Sequence, residues 1–192
     1  IFCESGPGNI LYLIHNHFFV DIFEPKQIGK KMFSLMEELY PINRSITGNG
    51  VRKTLKIFKK IIDLKIHEVP SGTQVFDWTV PEEWNIYDAY IKDSNGKKII
   101  DFKNSNLHVL NYSTPINKKM SLDDLKPHLF TLKKYPDVIP YRTSYYQKNW
   151  GFCLTHKQFS ELKNQEYEVV IDSKLENGFL TYGEYYIPGK FD

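Results

Sequence analysis

Ile86-Tyr-Asp-Ala-Tyr-Ile-Lys-Asp-Ser-Asn-Gly-Lys-Lys-Ile-Ile-Asp-Phe102 reads as two extended runs, 86–92 and 97–102, joined by a tight turn at Asp93-Ser-Asn-Gly96. Asn95-Gly96 supplies the positive backbone angles that a short hairpin needs. Outward from this hairpin, the middle of the chain keeps a β period. Upstream, Phe76, Trp78 and Val80 alternate with Val75, Asp77 and Thr79, the period of a half-buried strand that Pro81-Glu82-Glu83-Trp84 ends. Downstream, residues 107–112 read as a further strand. Ser121 with Asp124 spells a capping box over one helical turn before Pro127, and Thr155 with Gln158 spells a second over a short helix at 156–162. Residues 167–171 form a strand with Tyr167, Val169 and Ile171 on one face, and Asn177-Gly178 turns the chain into another at 182–187.

Before the hairpin the period is helical. Ile28, Met32, Leu35, Met36 and Leu39 share a face of a helix that Pro41 closes. The turn Pro41-Ile-Asn-Arg-Ser-Ile-Thr-Gly-Asn-Gly50 follows, with Ser45, Thr47 and Asn49 as expected caps of a second helix. That helix should bury Val51, Leu55, Phe58, Ile61 and Ile62, expose Lys53, Lys56, Lys59 and Lys60, and end near Asp63. With Arg44 and Arg52 nearby the turn could hold an anion, but it lacks the order of a phosphate loop, and capping is the better reading. Residues 64–69 read as a strand. Pro70-Ser-Gly-Thr73 is then a turn where a domain crossing is expected.

Residues 1–30 look unlike the rest and are expected to be a tail outside the fold, with Met32 as a natural start. The apolar runs around His15-Asn16-His17 are too short to span a membrane and lack a signal peptide's basic start. His15 and His17 have no third ligand near them. Two distant cysteines, Cys3 and Cys153, suit a reduced chain and a cytoplasmic setting. A net charge of +2 across 192 residues excludes a strong nucleic-acid field, so neither nucleic acid nor membrane is expected as a partner.

Val138-Ile-Pro-Tyr-Arg-Thr-Ser-Tyr-Tyr-Gln-Lys-Asn-Trp-Gly-Phe-Cys-Leu154 is the segment richest in side chains able to bind something. Arg142, Tyr145, Tyr146 and Trp150 are the candidate substrate-binding residues, as a rim or as the seal of a domain seam. Arg142 could orient a carboxylate or phosphate, though an ion pair with an aspartate is its commoner role. Cys153 lacks a nearby His and acid, so it reads as a buried thiol and not a nucleophile. His67, His108, His128 and His156 are scattered without ligand spacing, and no catalytic or metal-binding residue is assigned.

Three stretches, Pro41-Ile-Asn-Arg-Ser-Ile-Thr-Gly-Asn-Gly-Val-Arg-Lys-Thr-Leu55, Val75-Phe-Asp-Trp-Thr-Val-Pro-Glu-Glu-Trp-Asn-Ile86 and Tyr141-Arg-Thr-Ser-Tyr-Tyr-Gln-Lys-Asn-Trp-Gly-Phe-Cys-Leu154, resemble a bacterial zinc aminopeptidase-like family. That family is related to the two-zinc exopeptidases and carries an inserted domain of unknown function. The resemblance implies an α/β fold, α+β overall. Residues 31–69 and 166–192 would be parts of an incomplete aminopeptidase-like α/β domain, and 70–165 an inserted β-rich domain acting as a lid or substrate-entry wall. It implies zinc for a full-length protein, held by ligands expected beyond Gly189, so this chain is expected to bind no metal and to be inert alone. A small peptide or aminoacyl compound would be the substrate. The alternative is a peptide- or glycan-binding module on a non-catalytic scaffold, which the resemblance links to cell-surface polysaccharide assembly.

Overall fold

The structure is a computed structural model and describes residues 25–189. The chain divides into two units, 1–40 and 41–192. The first holds helix α1, Pro25–Leu39, which opens on a proline at its first position, where a missing N–H costs nothing. Ile28, Leu35 and Leu39 are half-buried, whereas Met32 and Met36, expected on the same buried face, are 61% and 63% exposed. Cys3, His15 and His17 lie outside the described residues.

In the second unit, helix α2 spans Asn49–Phe58. It stops earlier than expected and buries Ile57 instead of Ile61, which is exposed. None of the expected caps bonds its end: Gly48, at φ 90°, precedes it, and the Asn85 side chain accepts from the Asn49 N–H at 2.7 Å. A side chain 36 residues away thus does what a local Ser or Thr was expected to do. Thr47 turns inward instead and accepts from the Trp84 N–H at 3.0 Å.

Strand β1, Lys65–Pro70, follows, and then a turn with Gly72 at φ 85°. The run expected as one strand at 75–80 is a small hairpin, β2 Gln74–Val75 and β3 Trp78–Thr79, with Phe76 at its tip at φ 53° and 95% exposed. The Gln74 side chain explains the reversal, because it donates to the Phe76 carbonyl at 2.7 Å and accepts from Thr79 Oγ1 at 2.7 Å.

The expected hairpin at 86–102 is present as β4, Glu83–Lys92, and β5, Lys98–Asp101. Only Gly96 has positive φ; at Asn95 the carboxylate of Asp93 takes over by accepting the N–H groups of Asn95 and Lys97. The segment expected as a strand at 107–112 is a 3₁₀ turn at Asn106–His108 followed by single bridges. Strand β6, Ile116–Ser121, runs into the one-turn helix α3, Leu122–Leu125, whose Ser121 cap accepts from the Asp124 N–H as its sequence predicts. Two short strands, β7 Leu129–Phe130 and β8 Phe152–Cys153, pair in parallel. The Thr155–Gln158 capping box forms with both bonds and opens helix α4, His156–Ser160. Strands β9, Glu166–Glu176, and β10, Phe179–Glu184, complete the fold.

The main sheet is antiparallel in the order β5-β4-β9-β6, and β1 and β10 pair as a separate ribbon against α2. Strand β9 was expected to return with the early helices to a second domain. It lies between β4 and β6 instead, because Tyr167, Val169 and Ile171 are all within 1% of complete burial and need the same core as Ala89 and Ile91. The alternating face bears charge: Lys92 and Lys98 flank the Tyr90 ring at 4.7 and 4.3 Å, and Lys92 pairs with Glu168 at 2.8 Å. Segment 102–160 covers the apolar face with Val109, Tyr112, Leu125, Phe152 and Leu154. Among the described residues no helix is long and apolar enough to cross a membrane.

Candidate functional site

Four aromatic rings step from the core of the second unit to water. Trp84 and Tyr112 are stacked with centroids 5.7 Å apart, Tyr145 meets Tyr112 edge-on at 5.8 Å, and Tyr146 leans on Tyr145 at 4.3 Å. Trp84 and Tyr112 are buried, Tyr145 is half-buried and Tyr146 is 75% exposed. The outer two rings are joined at their tips, Tyr145 donating to Tyr146 at 3.3 Å.

The inner rings are fixed by a buried polar network. The Tyr112 hydroxyl lies 2.6 Å from Thr47 Oγ1 and donates to the Glu82 carbonyl at 3.1 Å, and burial pushes its pKa up to about 12. The Trp84 indole donates to the Ser113 carbonyl at 2.9 Å, which Ser173 also reaches at 2.7 Å. Tyr112 sits at φ 67°, a left-handed conformation unfavourable for a bulky residue and found where surrounding contacts enforce it. Here the residues on both sides are pinned: the Asn111 N–H donates to the Arg142 carbonyl at 2.9 Å, and the Ser113 N–H to the Leu110 carbonyl at 3.0 Å.

Against these rings lies a cavity of about 240 Å³. Pro81, Tyr112 and Leu175 give it apolar walls, while Glu82, Thr114, Ser144, Gln147 and Lys148 give it polar ones. Lys148 and Glu82 pair across it at 3.4 Å, so the rim carries both signs of charge and no excess of either.

The four candidate residues divide into two groups. Tyr145 and Tyr146 line this cavity together. Trp150 stacks instead on His128 at 3.6 Å, with the Trp150 carbonyl 3.0 Å from His128 Nδ1. Arg142 lies over the Phe130 ring at 5.7 Å, and among the described residues it makes no ion pair, so the expected aspartate partner is replaced by a ring. Gly151 lets Phe130 approach, since a Cβ there would meet both that ring and the His128 carbonyl. Sequence reasoning missed Tyr112, Gln147, Lys148 and Glu82. Gln147 and Lys148 lie within two residues of Tyr146, a ring it did select, but the pairing of Lys148 with Glu82 crosses 66 residues, and the conformation of Tyr112 leaves no local signature.

A second polar centre holds the unit together. Glu83, 7% exposed, accepts both terminal nitrogens of Arg52, the Asn85 side chain and the Phe179 N–H, and the Arg52 guanidinium holds its pKa down at about 2. Cys153 is fully buried and burial pushes its thiol up to about 12, which makes it an inert packing group. His108 is likewise buried with a lowered pKa, its Nδ1 2.8 Å from the Cys153 carbonyl. Among the described residues no three His, Cys, Asp or Glu side chains converge as metal ligands.

Residues 83–174, which cover the main sheet from β4 to β9, match the family model described as a domain of unknown function, DUF2172. The chain is 61% identical over 166 residues to a Clostridium acetobutylicum protein provisionally named for polysaccharide biosynthesis with an aminopeptidase-like domain. That match takes in 86% of this chain and 38% of the relative. A crystal structure from C. acetobutylicum, provisionally described as a peptidase, superposes with a TM-score of 0.82 at 61% identity, covering 86% of this chain and 39% of the other. The chain therefore spans less than two-fifths of the relatives it matches, and it shares its mixed helix-and-strand architecture with an aminopeptidase-like, peptidase-like protein.

Proposed function

We propose that this chain is a substrate-entry portion of a zinc-dependent aminopeptidase-like hydrolase. The four-stranded sheet and its covering loops act as the lid or wall, and α2 with the β1–β10 ribbon belongs to the hydrolase domain. The observation that carries the reading is the match at 61% identity to a relative named for an aminopeptidase-like domain, of which this chain covers 38%. The chemistry proposed for the longer protein is metal-activated water attacking an amide, with a small peptide or aminoacyl compound as substrate in a cytoplasmic setting. No described residue of this chain is placed in that step, and the cavity at Tyr145 and Tyr146 is where it would touch the substrate.

The exposed yet anchored Tyr146 favours a second reading, a binding module for glycan or peptide, which the polysaccharide biosynthesis in the relative's name supports. One experiment separates the two. Zinc content and cleavage of a panel of aminoacyl substrates are measured for this chain and for a polypeptide extended to the length of the relative. Zinc and cleavage in the extended form alone are expected. Zinc without cleavage would favour the binding module, and an extended form that takes up no zinc would overturn the hydrolase reading.

A further inference from the structure

We infer that the cavity bounded by Tyr112, Tyr145 and Tyr146, with Gln147, Lys148 and Glu82 at its rim, is a subsite for one uncharged pyranose ring of a glycan. The inference deepens the reading of this cavity as the place where substrate is met. Three features decide the ligand class. The first is the platform: an aromatic ring 75% exposed gains little for the fold, yet Tyr146 is held against Tyr145, which is braced on the Tyr112–Trp84 stack. A ring fixed before the ligand arrives loses little side-chain freedom on binding. Such a face suits the apolar C–H side of a sugar, while the two hydroxyl tips face its polar edge.

The second feature is size. At about 240 Å³ the cavity is below the range of drug-sized pockets, about 300–1,000 Å³, and has room for a single six-membered ring. The third is charge. Lys148 and Glu82 are paired with each other at 3.4 Å, so neither an anionic nor a cationic ligand finds an unpaired counter-charge among the lining side chains. Gln147 is exposed, and while its backbone N–H donates to the Ser144 carbonyl at 3.0 Å, its side-chain amide makes no hydrogen bond to any described residue, which leaves two donors and an acceptor for vicinal hydroxyls. An apolar peptide side chain would use the rings but leave this rim unused, so peptide is the competing occupant.

The test is binding to the full chain, followed by tyrosine and tryptophan fluorescence and by saturation-transfer NMR. Cellotriose, maltotriose and chitotriose are the saccharide probes, and tri-alanine is the peptide probe. At least one trisaccharide should bind saturably and more tightly than tri-alanine. Tyr146→Ala should weaken it by about tenfold or more, the worth of one good ring contact. Tyr186→Ala, at an equally exposed tyrosine outside the cavity, should leave it unchanged. Absence of trisaccharide binding, indifference to Tyr146→Ala or tighter binding of tri-alanine would each overturn the inference. Because the readout is binding, an extended polypeptide that cleaves nothing sinks the hydrolase reading without touching this one, and cleavage without saccharide binding does the reverse.

Discussion

Glu83 accepts four hydrogen bonds inside the fold, two from Arg52 on α2, one from Asn85 beside it on β4 and one from the backbone of Phe179 on β10. Its ionised form is what these donors select, so its pKa of about 2 makes its contribution pH-dependent with a definite sign. The stabilisation is complete above the ordinary carboxylate pKa of about 4.5, and it is lost as pH falls from there toward about 2. His108 also weakens the fold in acid, by a different route. Burial lowers its pKa, so the unfolded chain takes up a proton below about 6.5 more readily than the native one does. Chemical denaturation followed against pH should therefore show stability falling in two stages, near pH 6.5 and again below about 4.5. His108→Asn should remove the first stage. Glu83→Gln should flatten the second and cost about 3 kcal/mol at pH 7, because it strips a charge partner from a nearly buried network. A single acid transition below pH 4 in both variants would contradict these assignments. Nothing local to Pro81-Glu82-Glu83-Trp84 announces this role, since each partner lies at least 31 residues away or depends on the strand geometry that turns Asn85 toward it.

At the level of elements, what the sequence states locally the structure keeps. Gly96, the Ser121 cap and the Thr155–Gln158 capping box act within four residues of themselves and form where their residues predict, although at Ser121 the hydroxyl donates to the Asp124 carboxylate and the reciprocal half of the expected box is not made. Gly96 has open space around it, so Gly96→Ala should cost only the backbone term, about 1 kcal/mol, with no clash. Thr155→Ala should likewise cost about 1 kcal/mol by removing the cap of α4. Thermal unfolding of the two variants and of their combination checks both values; the double variant should lose their sum, since the sites share no hydrogen bond. The strand expected at 75–80 is lost to a local side chain, Gln74, which folds it back through bonds to Phe76 and Thr79. The other misses are set by distant partners: the start of α2 is capped by Asn85, and the extended run expected at 107–112 is bent where Tyr112 enters the left-handed region. The candidate site follows the same rule. Tyr145 and Tyr146 were legible because adjacent aromatics in a polar loop advertise themselves. Tyr112 and the Glu82–Lys148 pair became part of the site only through the fold.

For the molecule as a whole, the decisive element is β9. A turn at Pro70 and a return near residue 165 describe a plausible inserted domain, and a fragment cut at those points would contain β4, β5 and β6 but not the strand between β4 and β6. Removing β9 takes Tyr167, Val169 and Ile171 out of the core and leaves both β4 and β6 with an unpaired edge. It also removes Ser173, whose hydroxyl donates to the same Ser113 carbonyl that anchors Trp84. Fragment 70–165 should therefore lack a cooperative unfolding transition and should expose apolar surface to a hydrophobic dye. Fragment 41–189 keeps β9, the β1–β10 ribbon and the Arg52–Glu83–Phe179 connection, and it should unfold in one transition. If 70–165 folds cooperatively, the sheet does not depend on β9 and the core described above is misassigned. If 41–189 unfolds in two steps, with the second insensitive to Glu83→Gln, the ribbon and α2 form a separate cooperative unit. The fragment pair thus weighs the local turn signals at Pro70 and 165 against the burial of three alternate side chains, and burial of large apolar groups, at about 1.5–3 kcal/mol for each, outweighs a turn that any exposed loop can make.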